Sequence, residues 1–365
     1  MKTSPTEPPS AQLQTDLEAS TQTTCTLDLS VNRPILKHLN ADSSWLLSLP
    51  YTPHTKAPPG RCRYNIVIDP WLRGPQVDLF SWFSSQEHAK PSAIQSLSSL
   101  NDLLSREENT IITRNQPAES QNQPQPPPPC FIDAVVCSHE FTDHCHEATL
   151  RELPSTVPVF APKKAATLVR SWKHFDHIEE VPVYASGYDW RASGTGFRLP
   201  SWIGLGRIHT RNDGPIYFHS ALMITFSLSD AAVAEAILYT PHGVAADSLS
   251  VINEGAHPVT ILALLHGLHD ISLAGAQLNL GMRNAIRACE ILGVRYWTAT
   301  HDEAKIARGV VGWGLRRVVH TLPVALGSHP VGADGDGDGE RRELEREVSE
   351  GSFVEVGNGG VLVLV

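Results

Sequence analysis

The sequence predicts an α/β protein built from layers with mixed sheets. Three observations carry that prediction. Short runs rich in β-branched residues recur along the chain, the early ones pair as a hairpin, and the later ones alternate with helical stretches. Ser44–Leu49 and Arg63–Asp69 read as the first strands. Phe131–Ser138 is a third, bounded by turn formers. His144–Leu153 reads as a helix that Pro154 stops, and Val157–Phe160 as a short strand. Pro162, in a favoured first-turn position, opens a helix running to about Trp172. Residues 216–228, 236–240 and 260–267 follow as strands. Met282, Ala285, Ile286 and Cys289 then lie at i, i+3, i+4 and i+7, one apolar stripe against a sheet. Arg295–Thr300 and Gly359–Val365 complete the strands.

Three segments lack this patterning. Residues 1–24 are rich in Ser, Thr, Pro and Gln and predict a disordered tail. The stretch from about 84 to 130 is polar, ends in a proline run, and carries a short helix around Leu100, Leu103 and Leu104. Residues 327–350 are Gly/Asp-rich and then highly charged. All three predict decorations on a single domain spanning 25–365. Asp334, Asp336, Asp338, Gly339 and Glu345 fit the spacing of a calcium loop. No helix leads in and Arg341 takes an apolar position, so a solvated loop is the simpler reading.

Composition removes whole classes of function. The 365 residues carry a formal charge of −10, which argues against nucleic acid or an anionic membrane as partner. Hydrophobic residues make up 41% of the chain, enough for a substantial core. No apolar run approaches the length of a membrane helix, and six scattered cysteines suggest neither a disulfide framework nor a zinc ribbon. The expectation is a soluble, cytoplasmic protein with a small-molecule substrate; oligomeric state stays open. G-x-S-x-G, P-loop and complete G-x-G-x-x-G signatures are absent.

The informative stretch is His139-Glu140-Phe141-Thr142-Asp143-His144-Cys145-His146, which follows directly on the strand Phe131–Ser138. A buried strand delivers His139, and the next loop brings Asp143 and His144 to a helix start. Two imidazoles and a carboxylate in one small volume suit Zn²⁺, Fe or Mn²⁺, at the strand end where α/β sites usually form.

Here the sequence resembles the metallo-β-lactamase superfamily. Its signature H-x-H-x-D-H is matched by His139, Asp143 and His144, with Phe141 in the second histidine position. The likeness extends across most of the folded chain. Residues 40–50 and 65–76 look like the family's opening hairpin, in which a strand ends in an aspartate. The stretch 237–243 has Pro241-His242 where the family carries a bridging aspartate, and His301 matches the last metal histidine. A further histidine is His209 or His219.

The resemblance implies an αββα four-layer sandwich of two mixed β-sheets flanked by helices, and a divergent metal-dependent hydrolase. Metal ligands are expected among His139, Asp143, His144, His242 and His301, holding one zinc ion, with iron or manganese as alternatives. Phe141 cannot ligate and the bridging carboxylate is missing, so a dinuclear centre is not expected. The implied reaction is attack of metal-activated water on an ester, thioester, lactone or amide. In that scheme Asp143 acts as ligand or base, and His242 donates to the oxyanion or leaving group. Two other readings stand beside it: a non-catalytic member with a degenerate site, and a mononuclear-iron oxidative enzyme. His146 is expected on the solvent side of its helix, and His266, His269 and Asp270 in a turn or lining the pocket. Cys145 is not expected to act as a nucleophile. Trp45, Trp71, Trp82 and Phe83 either line a pocket or pack in the core.

Overall fold

The computed structural model describes residues 32–78, 84–115, 130–193, 198–210, 217–229, 231–309, 314–320 and 353–365. The tail, the proline run, the calcium-loop-like stretch, Trp82 and Phe83 lie outside them.

Two sheets form the middle of the molecule. The first has seven strands in the order β12-β1-β2-β3-β4-β5-β6. These are β1 Ile35–His38, β2 Trp45–Pro50, β3 Arg63–Ile68, β4 Ala134–Val136, β5 Val159–Ala161, β6 Ile178–Glu180 and β12 Val361–Val363. Strands from β12 to β3 pair antiparallel, and those from β3 to β6 parallel. The second sheet runs β11-β10-β9-β8-β7. Its strands are β7 Ile203–His209, β8 Ser220–Phe226, β9 Ala234–Thr240, β10 Val259–His266 and β11 Tyr296–Thr298. Here β7, β8 and β9 are antiparallel neighbours, and β9, β10 and β11 parallel. Both sheets are therefore mixed, as expected.

Alternation along the strands builds the layers. Leu47, Ile66, Ile68, Val136 and Phe160 of the first sheet meet Leu205, Leu222, Ile224, Ile237 and Leu265 of the second. On the far face of the first sheet, Leu46, Val67, Val135 and Val159 pack against helices α1 (Leu97–Asn115) and α2 (Lys163–Ser171). On the far face of the second, Met223, Ala236, Leu238 and Leu264 meet helix α3 (Met282–Leu292) and the 3-10 helix Ala246–Glu254. The result is helix, sheet, sheet, helix. Period-two side-chain alternation requires this: a strand apolar on both faces must be covered on both.

Two expectations need correction. The stretch from 84 to 130 is more than a decoration. It contributes the strand Ser84–Glu87 and the 19-residue α1, whose Leu97, Leu100, Leu103 and Leu104 are buried. Glu107 and Glu108 of α1 are also buried, Glu107 against Lys37 and Glu108 accepting from the backbone N–H of Cys62 and Arg63. The helix expected over 144–153 shrinks to one turn, Glu147–Leu150. Strands β1, β6 and β7 have no counterpart among those the sequence predicts.

Candidate metal centre

The chemistry-bearing side chains gather at the C-terminal ends of strands from both sheets. β3 ends in Asp69, β4 leads into the loop of His139, Asp143 and His144, β9 leads to His242, and β11 to His301. Asp69 and His301 adopt left-handed backbone conformations, with φ of 45° and 60°. Such strain in non-glycine residues is tolerated where surroundings over-determine it, and it clusters at functional sites.

All five residues expected at the centre come together, buried. Their donor atoms form two overlapping groups, His139/His144/His242 and Asp143/His144/His301, each within 4.8 Å. The two groups are held very differently.

In the second, carboxylates orient the rings. His144 Nδ1–H donates to Asp69 Oδ2 at 2.6 Å, which leaves the Nε2 lone pair facing the site. Asp69 also accepts from Ser138 N (2.6 Å), Ser138 Oγ (2.5 Å) and Tyr239 OH (2.7 Å). His301 Nδ1–H likewise donates to Asp42 Oδ2 at 3.1 Å. Asp143 Oδ2 lies 3.6 Å from His144 Nε2 and 3.8 Å from His301 Nε2. Tetrahedral zinc, with bonds of about 2.0–2.1 Å to nitrogen, sets its donor atoms about 3.3 Å apart. This group is spaced to receive an ion with little movement.

In the first, the rings bond one another. The Phe141 N–H donates to His139 Nδ1 at 3.3 Å, so the ring proton of His139 sits on Nε2. That Nε2–H donates to His242 Nε2 at 2.8 Å, and His242 Nδ1–H donates to Asn279 Oδ1 at 2.8 Å. Both lone pairs that would meet a metal are thus occupied or protonated. Burial, with nearby imidazoles assisting, holds both rings well below the usual histidine range, so they stay neutral.

The donor set fits a divalent ion. Nε2 of His144 is buried with no hydrogen-bond partner, an arrangement that costs free energy unless something accepts that lone pair. Two buried carboxylates, Asp42 and Asp143, share the ammonium of Lys305, and a third, Asp69, is buried against His144; unbalanced buried charge is expensive. Burial opposes ionisation of Asp143, yet Lys305 and the surrounding imidazoles hold it well below the usual carboxylate range. Burial also opposes protonation of His144, but Asp143 and Asp69 raise it.

The remaining candidates lie elsewhere. His209 and His219 belong to neither donor group; His219 Nε2–H donates to the Leu278 carbonyl at 2.9 Å. His146, expected on the solvent side, is buried, because its Nδ1 caps the turn 147–150 by accepting from Thr149 N. His266 is buried at the end of β10, its Nε2 2.9 Å from Asn284 Nδ2, while Asp270 opens the strand Asp270–Leu273 of a separate three-stranded sheet, with His269 just before it, both half-buried. Cys145 packs with Cys137 in the core behind the loop. Trp45 and Trp71 are fully buried and stack on His38 and His88. They belong to the core. Phe141 meets His139 edge-on and packs on Phe218. The residues not anticipated are those that hold the candidate ligands in place: Asp42, Lys305, Tyr239 and Asn279. Asp69 was visible only as a strand-ending aspartate.

A mixed seven-stranded sheet stacked on a mixed five-stranded one, helices outside and this loop at the strand ends, decides the architecture. The chain has the metallo-β-lactamase fold. No family model matches it, and no curated protein does. Solved structures do. A "possible metal-dependent hydrolase" from Veillonella parvula DSM 2008 is 12% identical, with 91% of this chain and 100% of that one covered at a TM-score of 0.50. The isothiocyanate hydrolase from Delia radicum gut bacteria is 16% identical, covering 90% and 98%, at 0.46. The metallo-beta-lactamase fold protein YhfI from Bacillus subtilis is 12% identical, covering 90% and 99%, at 0.43. At these identities the likeness concerns the fold. Among the described residues no helix is long and apolar enough to cross a membrane.

Proposed function

We propose that the protein is a metal-dependent hydrolase with one divalent ion held by Asp143, His144 and His301. The observation that carries this reading is the buried, unpartnered Nε2 of His144, fixed by Asp69 at the ring's other nitrogen. The Veillonella neighbour, described as a possible metal-dependent hydrolase, is consistent with it. Zinc is the first choice, and iron or manganese accept the same donors. When bound, such an ion polarises a carbonyl and acidifies water.

The chain's own residues divide the remaining work. Asp69 and Asp42 fix which nitrogen of His144 and His301 faces the centre. Asp143, held ionised by Lys305, suits a ligand and makes a weak base. The N–H shared between His139 Nε2 and His242 Nε2 lies beside the same donors, in place to donate a hydrogen bond to a developing oxyanion, the neutral rings keeping their proton. Phe141 and Phe218 form an aromatic wall over these two rings. The substrate we propose is a small organic ester, thioester, lactone or amide.

Elemental analysis of protein purified without added metal tests the reading. Roughly one equivalent of Zn, Fe and Mn together is expected, with turnover on a panel of chromogenic esters, thioesters, lactones and amides. No metal, before or after reconstitution, overturns it. Metal without turnover would favour the non-catalytic reading, for which the locked His139–His242 pair is the supporting observation.

A further inference from the structure

Lys305 comes four residues after His301 and lies within the centre rather than at its rim. Its side chain is 8% exposed. Nζ sits 2.8 Å from Asp143 Oδ2 and 2.8 Å from Asp42 Oδ2, and 5.1 Å from the centre of the Trp71 ring. Each carboxylate also serves a histidine. Asp143 Oδ2 is the oxygen closest to both His144 Nε2 and His301 Nε2, and Asp42 Oδ2 orients His301.

We propose that Lys305 is a resident cation that competes with the divalent ion for Asp143, holding the centre together without metal at the expense of metal affinity. This inference rests on the metal-dependent reading above. The physical grounds are charge and shared geometry. An ammonium and a divalent ion draw on the same carboxylate oxygen, and two cations a few ångströms apart in a buried, weakly screened site repel strongly. Without a cation, Asp42 and Asp143 would be buried like charges, and removing one partner of such a group is strongly destabilising. Lys305 therefore acts with opposite sign in the two states. It stabilises the metal-free protein and weakens binding of the ion. As the ion arrives, the ammonium retains Asp42 and yields Asp143. Its reach and the stacked Trp71 ring keep it beside the centre throughout.

The test uses full-length protein stripped of metal, with Lys305→Met, Lys305→Gln and Lys305→Arg alongside wild type. Zinc affinity is measured against a chromogenic chelator, and the melting temperature with and without zinc. Lys305→Met is expected to melt lower than wild type when metal-free, bind zinc about tenfold or more tightly, and gain more in melting temperature on adding zinc. Lys305→Gln, which keeps an N–H donor for both carboxylates, should show the same signs if the Met variant does not fold metal-free. Lys305→Arg, with its charge retained, should stay near wild type. A purely structural lysine would lower metal-free stability and zinc affinity together, and that result overturns the proposal. So does unchanged affinity in the neutral variants. If wild type and variants alike bind no zinc, the metal-dependent reading falls, and this one with it.

Discussion

Two halves of one centre sit within a few ångströms of each other and are built on opposite principles. In the half made by Asp143, His144 and His301, each imidazole has a carboxylate at its far nitrogen, so its near nitrogen is a free, directed lone pair. In the half made by His139 and His242, the far nitrogens meet a backbone N–H and an amide, and the near ones bond each other. The nitrogens of that pair are 2.8 Å apart, closer than the roughly 3.3 Å spacing of two donors on one tetrahedral ion. Histidine at a strand end is therefore not a ligand by residue type alone. What lies behind the ring decides whether it presents a lone pair or a proton.

The comparison can be broken most directly at His144. His144→Ala should lower metal affinity by more than about a hundredfold, exceeding what loss of an orienting partner does; equilibrium dialysis with elemental analysis reads it. Unchanged metal content would mean that the carboxylate-backed half is not the binding half. Asp69→Asn, which removes the acceptor that fixes the His144 tautomer, should cost about 10–100-fold in affinity. It should also lower the melting temperature, since Ser138 Oγ and Tyr239 OH lose the same Oδ2 acceptor. His242→Ala should leave metal content unchanged while turnover falls, a split that separates hydrogen bonding to the oxyanion from ligation. The smallest effect is expected from Phe141→His. It restores the histidine of the family signature, yet stoichiometry should stay at one ion, because the bridging carboxylate remains absent and His139 remains engaged by His242. A second tightly bound equivalent would show that Phe141 alone had closed that half.

What the sequence made legible follows this division. His139, Asp143, His144 and His301 were readable because they punctuate strand ends in a recognisable order, and the layers because β-branched runs alternate with helical stripes. The residues behind the rings were not readable. Asp42 lies in a hairpin turn where aspartate is ordinary, and Lys305 in a loop with no period to betray it. Helix α1 was obscured for a different reason. Its apolar stripe is interleaved with charged residues, and two of those, Glu107 and Glu108, point inward to Lys37 and to the backbone of the neighbouring strand. Buried, partnered charge looks in a sequence just like solvated charge. His146 departs from its solvent-side expectation because a histidine one residue before a single helical turn caps it, whereas within a longer helix it would face outward.

The hydrogen bond from Tyr239 OH to Asp69 has a consequence for how the molecule can change. Tyr239 belongs to the second sheet and Asp69 ends a strand of the first, so the carboxylate that aims His144 also aligns the two halves of the sandwich. His301, which enters from the second sheet and accepts its place through Asp42 beside the first, repeats the arrangement. Anything that slides one sheet against the other, whether heat, a core substitution or an altered loop length, reaches the geometry of His144 and His301 without touching either. The centre is thereby a gauge of the whole fold's registration, and mutations far from it are expected to be read out there first.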